Sequence, residues 1–162
     1  MKIFDCFMFY DEEMLLDVRL NTLDKYIDKF IIVESNHTHS GKKRNLVFDI
    51  KNYPNFKHKI QYLVIEDVPK NIEKINDQDS KDEKESKIIM NAIKRENYHR
   101  NSIAYLLRAA DPNYQIIISD LDEIPNLENI DFNEIKNKLI LFKQKMFYYK
   151  FNLLYENYTW QG

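Results

Sequence analysis

The residues best suited to chemistry are two aspartates that follow a short run of isoleucines. Asp120 and Asp122 come directly after residues 116–119 (IIIS), a sequence typical of a buried strand. In an extended chain, alternate side chains share one face, so the two carboxylates are predicted to point the same way. Two neighbouring carboxylates repel each other unless a cation lies between them. The pair therefore predicts a site for Mn²⁺ or Mg²⁺, which accept phosphate oxygens as further ligands.

Glycine is scarce, which limits how this chain can bind a phosphate. Only Gly41 and Gly162 occur among the 162 residues, whereas average usage would give roughly eleven. A Walker loop and a dinucleotide-binding fingerprint both need clustered glycines, because the backbone must approach the phosphate closely. Neither motif is present, so a cation held by Asp120 and Asp122 is the alternative means of neutralising a phosphate.

Charge and composition exclude several further classes. Lysine plus arginine is 24 and aspartate plus glutamate is 26, which gives a net charge of −2. A domain that binds nucleic acid through bulk charge is strongly basic, so we expect no nucleic-acid partner. Cys6 is the single cysteine, which excludes an internal disulfide and a multi-cysteine zinc site. No apolar run approaches the roughly 18 residues that span a bilayer, and no signal peptide is visible. We therefore expect a cytoplasmic protein without a membrane span.

Strand-like and helical patterns alternate along the chain. Buried strands are predicted over residues 2–10, 30–34, 59–65 and 115–119, and an aromatic strand over 139–151. Helices are predicted after the acidic residues 11–13, over about 84–110 and over 132–138. This alternation favours an α/β fold with a mostly parallel sheet flanked by helices, and the length predicts one domain.

Polar residues concentrate in two kinds of segment. Residues 67–87 have mixed charge and few apolar side chains, so they are predicted to be a solvated, mobile surface segment or a flap near a site. Other polar residues follow the predicted strands, at Asp11, residues 34–42 and residues 119–125. Ligands of parallel sheets bind beyond the carboxyl ends of the strands. The sequence therefore predicts a site at that edge.

Several motifs, taken in order, resemble those of glycosyltransferase family 17. They are D-C-F at residues 5–7, E-S-N-x-T-x-S-G-K at residues 34–42, Arg100-Asn101, and S-D-x-D-E-I-P at residues 119–125. The resemblance runs from about residue 3 to the end of the chain. It implies a GT-A-like fold, a UDP-sugar donor that carries N-acetylglucosamine, a glycan acceptor and a divalent metal at the D-x-D.

The chain also departs from the family pattern. Asp11 stands where the family usually has asparagine, and residues 66–87 are unlike the family. We expect the family's domain to continue past Gly162, so residues 1–162 are predicted to form a single GT-A-like domain without part of the acceptor region. A catalytically incomplete domain that binds a nucleotide sugar is therefore kept as an alternative to an active transferase.

Several candidate donor contacts have a structural alternative. Glu34 ends a buried strand, where recognition of the donor base or ribose stays as open as a capping role or pairing with Arg19. Arg19 itself is predicted to pair with a buried carboxylate, which is Asp5, Asp17 or Glu34. Arg100 either pairs with Glu96 four residues away or contacts a diphosphate or carboxylate. Arg95 is a donor contact or a solvated helix residue. The predicted donor-binding set is Asp11, Glu34, Asn36, Arg95, Arg100 and Asp120, and the predicted metal ligands are Asp120 and Asp122.

The catalytic base and the sugar contacts are less well defined by the sequence. Glu123 lies beside the metal pair and is the predicted catalytic residue, with support of the metal ligands as its alternative. Tyr148, Tyr149 and Trp160 either stack on a sugar or belong to the core. A metal site at the histidines of residues 37–39 lacks a third nearby ligand in the sequence.

A second enzyme class shares the strand and D-x-D arrangement. Haloacid-dehalogenase-like phosphatases present a nucleophilic aspartate in this way. Their site comes early in the chain and needs a later lysine and further acidic residues on following strands. Only 40 residues follow Asp122, so the sequence favours sugar transfer over phosphate hydrolysis.

Overall fold

The protein has an all-parallel sheet of four strands. In the computed structural model, which describes residues 1–147 and 152–161, the strands are β1 (Ile3–Phe9), β2 (Lys29–Ser35), β3 (Ile60–Ile65) and β4 (Gln115–Ile118). Their order across the sheet is β3-β2-β1-β4. The predicted α/β fold with a mostly parallel sheet flanked by helices is confirmed. Tyr148 and Tyr149 lie outside the described residues.

Helices connect the parallel strands. Helix α1 (Glu13–Leu23) joins β1 to β2, and helices α2 (Lys81–Asn101) and α3 (Ile103–Leu107) lie between β3 and β4. A short 3₁₀ helix, Ile50–Asn52, precedes β3. Strands β5 (Lys143–Phe147) and β6 (Leu154–Gln161) form a separate antiparallel hairpin.

The two central strands carry mainly apolar side chains on both faces, and helices cover both faces of the sheet. Phe7 on β1 and Phe30 on β2 pack on the side of α1, with Leu16, Leu20 and Leu23 from the buried stripe of that helix. Cys6, Ile31 and Val33 point to the opposite side, where they pack with Ile103 of α3. Burial on both sides is the usual condition for a parallel sheet.

The strand register brings three chain segments to one edge of the sheet. Phe9 pairs with Glu34 between β1 and β2, and Cys6 pairs with Ile118 between β1 and β4. All strands run the same way, so the residues that follow β1, β2 and β4 emerge together beyond the carboxyl edge. This is the edge at which the sequence predicts a site.

Two predicted helices differ from the observed ones. The helix predicted over 84–110 begins at Lys81, with Ser80 and Glu83 forming a reciprocal capping box, and divides at Ser102, whose hydroxyl donates to the Tyr98 carbonyl oxygen at 2.8 Å. The predicted helix at 132–138 is wrong. Residues 132–134 form a turn instead and residues 135–138 are not helical; the turn is held by the Asp131 carboxylate, which accepts from the Asn133 N–H at 2.8 Å.

The charged segment after β3 is tied to α2 by polar contacts. Residues 81–87 form the first turns of α2. The backbone of Glu73 exchanges two hydrogen bonds with the Asn91 side chain, at 2.9 and 2.8 Å. Lys87 pairs with Asp79 at 2.7 Å. Within the part of the chain that the structure describes, no helix is long and apolar enough to cross a membrane.

Candidate active site

A cavity of about 590 Å³ lies beyond the carboxyl edge of the sheet. Its apolar lining includes Met8 near the end of β1, Leu15 in α1, Val33 on β2 and Leu121 after β4. Its charged lining comes from the segments after β1 and β4 and from the last turns of α2. The charged residues are Glu12, Glu96, Arg100, Asp120 and Asp122. A cavity of this size with apolar and polar lining suits a small organic ligand.

The two aspartates of the D-x-D both line this cavity, as predicted, but not on an extended strand. Strand β4 ends at Ile118, and the Glu123 N–H donates to the Asp120 carbonyl oxygen at 3.0 Å to close a turn. Leu121 is buried between the two aspartates. A turn around a buried leucine therefore presents both carboxylates, in place of the expected alternation along a strand.

The side chain of Arg19 holds this turn from its buried side. The side chain is fully buried, and its Nε and Nη2 donate to the two carboxylate oxygens of Asp5 at 2.8 and 2.7 Å. Its Nη1 donates to the carbonyl oxygens of Asp120, Leu121 and Glu123 at 2.8, 3.0 and 3.2 Å. The predicted pairing of Arg19 with a buried carboxylate is confirmed, with Asp5 as the partner. One guanidinium thus fixes the backbone that carries the D-x-D.

Arg100 reaches the D-x-D from the end of α2. Its Nη2 donates to Asp120 Oδ1 at 2.8 Å and to Glu96 Oε1 at 3.2 Å. Arg100 therefore makes both of the contacts that the sequence offered as alternatives, the ion pair with Glu96 and a contact with a second carboxylate, that of Asp120. The side chain keeps 41% of its surface exposed, so it remains open to a ligand in the cavity.

Glu34 is a fully buried and fully paired carboxylate. Its ion-pair partner is Arg44, not Arg19, with the two atoms 2.9 Å apart. Burial and the hydrogen bond to Glu34 raise the pKa of Tyr62 well above its usual range. A donor contact would require one of the bonds to Glu34 to break, and it stays a prediction. The donors to Glu34, at 2.7 to 3.2 Å, are Arg44 Nη1, Tyr62 Oη and the backbone N–H groups of Val47 and Phe48.

The loop after β2, residues 36–43, is anchored by Arg95 of α2. Arg95 Nη1 donates to the His39 carbonyl oxygen at 3.0 Å. Gly41 has a positive φ of 90°, and a Cβ there would lie 2.7 Å from the Arg95 guanidinium carbon. Arg95 is therefore packed against the loop rather than solvated. Donor contacts by Arg95 and by Asn36, which begins the loop, stay predictions.

The segment after β1 contributes Glu12 to the cavity. Asp11 is exposed and lies outside the cavity lining. Glu12 lines the cavity, and its Oε2 accepts from the backbone N–H groups of Tyr10 and Asp11, both at 3.1 Å. Donor binding by Asp11 stays a prediction, and the neighbouring Glu12 is better placed to contact a ligand in the cavity.

Glu123 supports the D-x-D turn. Its Oε2 accepts from the Asp120 N–H at 3.0 Å, and its Oε1 accepts from Trp160 Nε1 of β6. It lines a neighbouring cavity of about 210 Å³ rather than the larger one. The geometry fits the support role that the sequence left open, and the role as catalytic base stays a prediction. Trp160 is 45% exposed, so it is not a core residue.

Outside the motif of residues 34–42, sequence reasoning missed four polar residues of the cavity lining. Glu12 lies three residues after the end of β1, and Glu96 precedes Arg100 by one helical turn. The position after a strand end and the spacing along α2 could therefore have identified both residues. Tyr10, whose ring lies 4.1 Å from the Arg44 guanidinium carbon, and His99 carry no recognisable pattern in the sequence.

The charged lining favours a cation. Glu12, Glu96, Asp120 and Asp122 are four carboxylates, and Arg100 is the one guanidinium among the described lining residues. Across residues 1–147 and 152–161, no group of three or more His, Cys, Asp or Glu could hold a metal ion by itself. A cation at Asp120 and Asp122 would therefore take its remaining ligands from water and from a bound phosphate, as Mg²⁺ and Mn²⁺ commonly do.

Comparison with known proteins identifies a family. The family model described as Glycosyltransferase family 17 matches residues 1–162. No curated protein and no solved structure matches significantly. The family match covers every segment that lines the cavity, and it favours sugar transfer over the phosphatase alternative.

Proposed function

The chain belongs to glycosyltransferase family 17, and we propose that it transfers N-acetylglucosamine from UDP-N-acetylglucosamine to a glycan acceptor with the help of Mn²⁺ or Mg²⁺. Family membership makes the protein a glycosyltransferase with a sugar donor and an acceptor. The metal, the UDP group and the identity of the sugar are the proposed part. The two aspartates and the charge of the cavity support the metal, and the motifs that resemble those of the family support the UDP group and the sugar.

One observation supports the proposal most directly. Asp120 and Asp122 line the same cavity, and the described lining adds two more carboxylates and only one guanidinium. The diphosphate of a nucleotide sugar is itself an anion, so this lining repels it unless a cation is present. A divalent ion at the two aspartates converts the repulsive site into one that attracts the donor.

The proposed roles follow from the hydrogen bonds around the D-x-D. Asp120 and Asp122 would hold the cation, which neutralises the charge that develops on the leaving diphosphate. Arg100 already contacts Asp120 and is exposed to the cavity, so it is placed to donate to the diphosphate oxygens. Arg19 keeps the D-x-D turn rigid through its bonds to three carbonyl oxygens.

Sugar transfer also needs a base for the acceptor hydroxyl. The hydroxyl oxygen attacks the anomeric carbon, the bond to the diphosphate breaks, and a carboxylate takes the hydroxyl proton. Glu123 is retained as the proposed catalytic residue. Its Oε2 accepts a hydrogen bond from the Asp120 N–H. As a base it would therefore have to accept the proton on Oε1, after the hydrogen bond from Trp160 to that oxygen breaks.

Calorimetry of UDP binding tests the metal bridge. We expect UDP to bind in the presence of Mn²⁺ and not in EDTA. Asp120→Asn and Asp122→Asn should each weaken Mn²⁺-dependent binding more than about tenfold, because changes even at residues behind metal ligands cost about 10-fold to 100-fold. Asp77→Asn is the matched control, since Asp77 is an exposed carboxylate outside the cavity lining.

Two results would contradict the proposal. UDP binding that is equally tight in EDTA would show that no divalent cation is needed. Unchanged Mn²⁺-dependent binding in both aspartate variants would show that the cation binds elsewhere. The donor sugar is tested separately by measuring UDP release from UDP-N-acetylglucosamine and from other UDP-sugars in the presence of glycan acceptors.

A further inference from the structure

The buried polar atoms without partners gather on two segments that face each other. Among the described residues, four buried side-chain polar atoms lack a hydrogen-bond partner: Asn36 Oδ1 and His37 Nδ1 after β2, and Arg95 Nε and His99 Nε2 on α2. The two segments touch, because Arg95 donates to the loop and the rings of His39 and His99 lie 5.7 Å apart. Folded proteins pair nearly all such atoms, so a cluster of unpaired ones marks a place where a ligand can complete the hydrogen bonding.

His99 is, with His37, one of the two members of this cluster that line the cavity. Only 4% of the residue is exposed, and it lines the cavity with His37 and His39. Burial, followed by the nearby His39, His37 and Arg95, lowers the pKa of His99 to about 4. The imidazole is therefore uncharged near neutral pH, and its Nε2 donates or accepts one hydrogen bond according to the tautomer.

The cavity thus has two chemically different parts. Arg100, Asp120 and Asp122 supply the charges that suit a cation and a diphosphate. The three histidines supply ring nitrogens, and the buried one cannot act as a counter-ion for a phosphate. A neutral imidazole nitrogen in a desolvated position is best satisfied by a hydroxyl or carbonyl group.

We propose that His99, with His37 beside it, forms a subsite that binds an uncharged hydroxyl or carbonyl group of the nucleotide-sugar donor. This inference rests on the proposed function, because it assigns part of the same cavity to a part of the same ligand. The group belongs either to the nucleoside or to the sugar, and the two sources are separated by experiment. His99 then helps to determine which donor is accepted, since a donor without the group leaves Nε2 unpaired.

A structural role and a metal site both fit the geometry of His99 less well. A histidine that only supports the core normally has both ring nitrogens satisfied, whereas His99 Nε2 has no partner among the described residues. A zinc site of the kind that histidines form needs three protein ligands, and the described residues contain no group of three His, Cys, Asp or Glu that could hold a metal ion. An ordered water at Nε2 is the remaining alternative, and a binding experiment with His99 variants separates it from the subsite.

The test compares donor binding by the wild type, His99→Phe and His99→Gln. Calorimetry with Mg²⁺ uses two ligands, UDP and UDP-N-acetylglucosamine. We expect His99→Phe to bind about tenfold more weakly, while His99→Gln, which retains a hydrogen-bonding group, recovers most of the affinity. His58→Phe is the matched control, because His58 is exposed and outside the cavity lining. His99→Phe should melt at the same temperature as the wild type or higher, since it removes an unpaired polar atom.

Each outcome has a definite meaning. Weaker binding of both ligands assigns the group to the nucleoside, and weaker binding of UDP-N-acetylglucosamine alone assigns it to the sugar. Unchanged binding of both ligands by His99→Phe overturns the subsite and indicates that water alone satisfies Nε2. A wild type that binds neither ligand counts first against the proposed function and removes the subsite with it.

A measurement on the wild type covers the case in which His99→Phe does not fold. Imidazole ¹⁵N resonances are recorded with and without UDP-N-acetylglucosamine and Mg²⁺. We expect the Nε2 resonance of His99 to shift on ligand addition and that of His58 to stay in place. A His99 resonance that does not respond to a bound donor overturns the proposal.

Discussion

At the scale of single residues, the least ordinary side chain is a fully buried arginine. Arg19 lies in the apolar stripe of α1, yet it pairs with Asp5 and donates to three carbonyl oxygens of the D-x-D turn. A charge in such a place is tolerated only when it is paired and all its donors are used. The arginine therefore links the core of the sheet to the position of the proposed metal ligands.

Removing this arginine should destabilise the protein strongly. Arg19→Met leaves the Asp5 carboxylate buried without a partner, so we expect a loss of about 3–5 kcal/mol in the free energy of unfolding, measured with urea. The double variant Arg19→Met with Asp5→Asn should recover part of that loss, because it removes the unpaired charge. Arg108→Met, at an exposed arginine, is the control and should change stability by less than about 0.5 kcal/mol. A small loss in Arg19→Met would contradict the buried pair.

His99 gives a pH dependence with a definite sign. Burial and the neighbouring His37, His39 and Arg95 lower its pKa from 6.5 to about 4 in the folded protein. As the pH falls below 6.5, the unfolded chain binds the proton before the folded one, so stability is lost between about pH 6.5 and pH 4. The loss from this residue between pH 7 and pH 5 is roughly 2 kcal/mol.

Urea unfolding at the two pH values measures this loss. The fall in stability from pH 7 to pH 5 should be smaller in His99→Phe than in the wild type by that amount. His58→Phe should show the wild-type fall, because His58 is exposed. An equal fall in all three proteins would mean that the His99 imidazole titrates normally.

At the scale of elements, the cavity wall depends on how the loop after β2 meets α2. Residues 36–43 fold back on themselves, and the backbones of His37 and Lys43 form an isolated antiparallel β-bridge. Arg95 fixes the loop by donating to the His39 carbonyl oxygen. The sequence predicted a loop there and a helix over Arg95, but it carried no information on their contact. The predicted helix at 132–138 failed for a related reason, since local turn bonds of Asp131 outweigh a weak helical pattern.

Gly41 is the position where this contact can be tested. Its φ of 90° is unfavourable for other residues, and a Cβ would meet the Arg95 guanidinium at 2.7 Å. Gly41→Ala should therefore cost about 1–2 kcal/mol in urea unfolding. It should also weaken donor binding, because Arg95 must move away from the loop. Lys42→Ala, at the adjacent exposed position, is the control, and equal effects of the two substitutions would contradict the close packing of Gly41 on Arg95.

At the scale of the whole molecule, parallel strands deliver distant segments to one edge. The cavity combines residues that follow β1, β2 and β4 with residues from the end of α2. No single segment carries the site, so ligand binding should stabilise the fold as a unit. The strand-end rule predicted the location of this edge correctly, since it depends only on the direction of the strands.

Thermal unfolding with ligands tests this coupling. A ligand at 100 times its Kd stabilises a folded protein by about 2.7 kcal/mol, which corresponds to roughly 5–10 °C for a chain of this length. We expect Mn²⁺ and UDP together to raise the melting temperature by more than the sum of their separate effects. EDTA should abolish the increase, and Asp120→Asn should reduce it. Purely additive shifts would argue against a shared site.

The sequence by itself determined the buried strands, the alternation that produces a parallel sheet, and the D-x-D motif with its family. These are local patterns, and burial or spacing along the chain is enough to recognise them. The tertiary structure decided the pairings, such as Arg19 with the Asp120 carbonyl 101 residues away and Glu34 with Arg44 instead of Arg19. It also decided that His99 faces the cavity. Contacts of this kind depend on which elements pack together, because many partners of the right charge are present and only the folded chain selects among them.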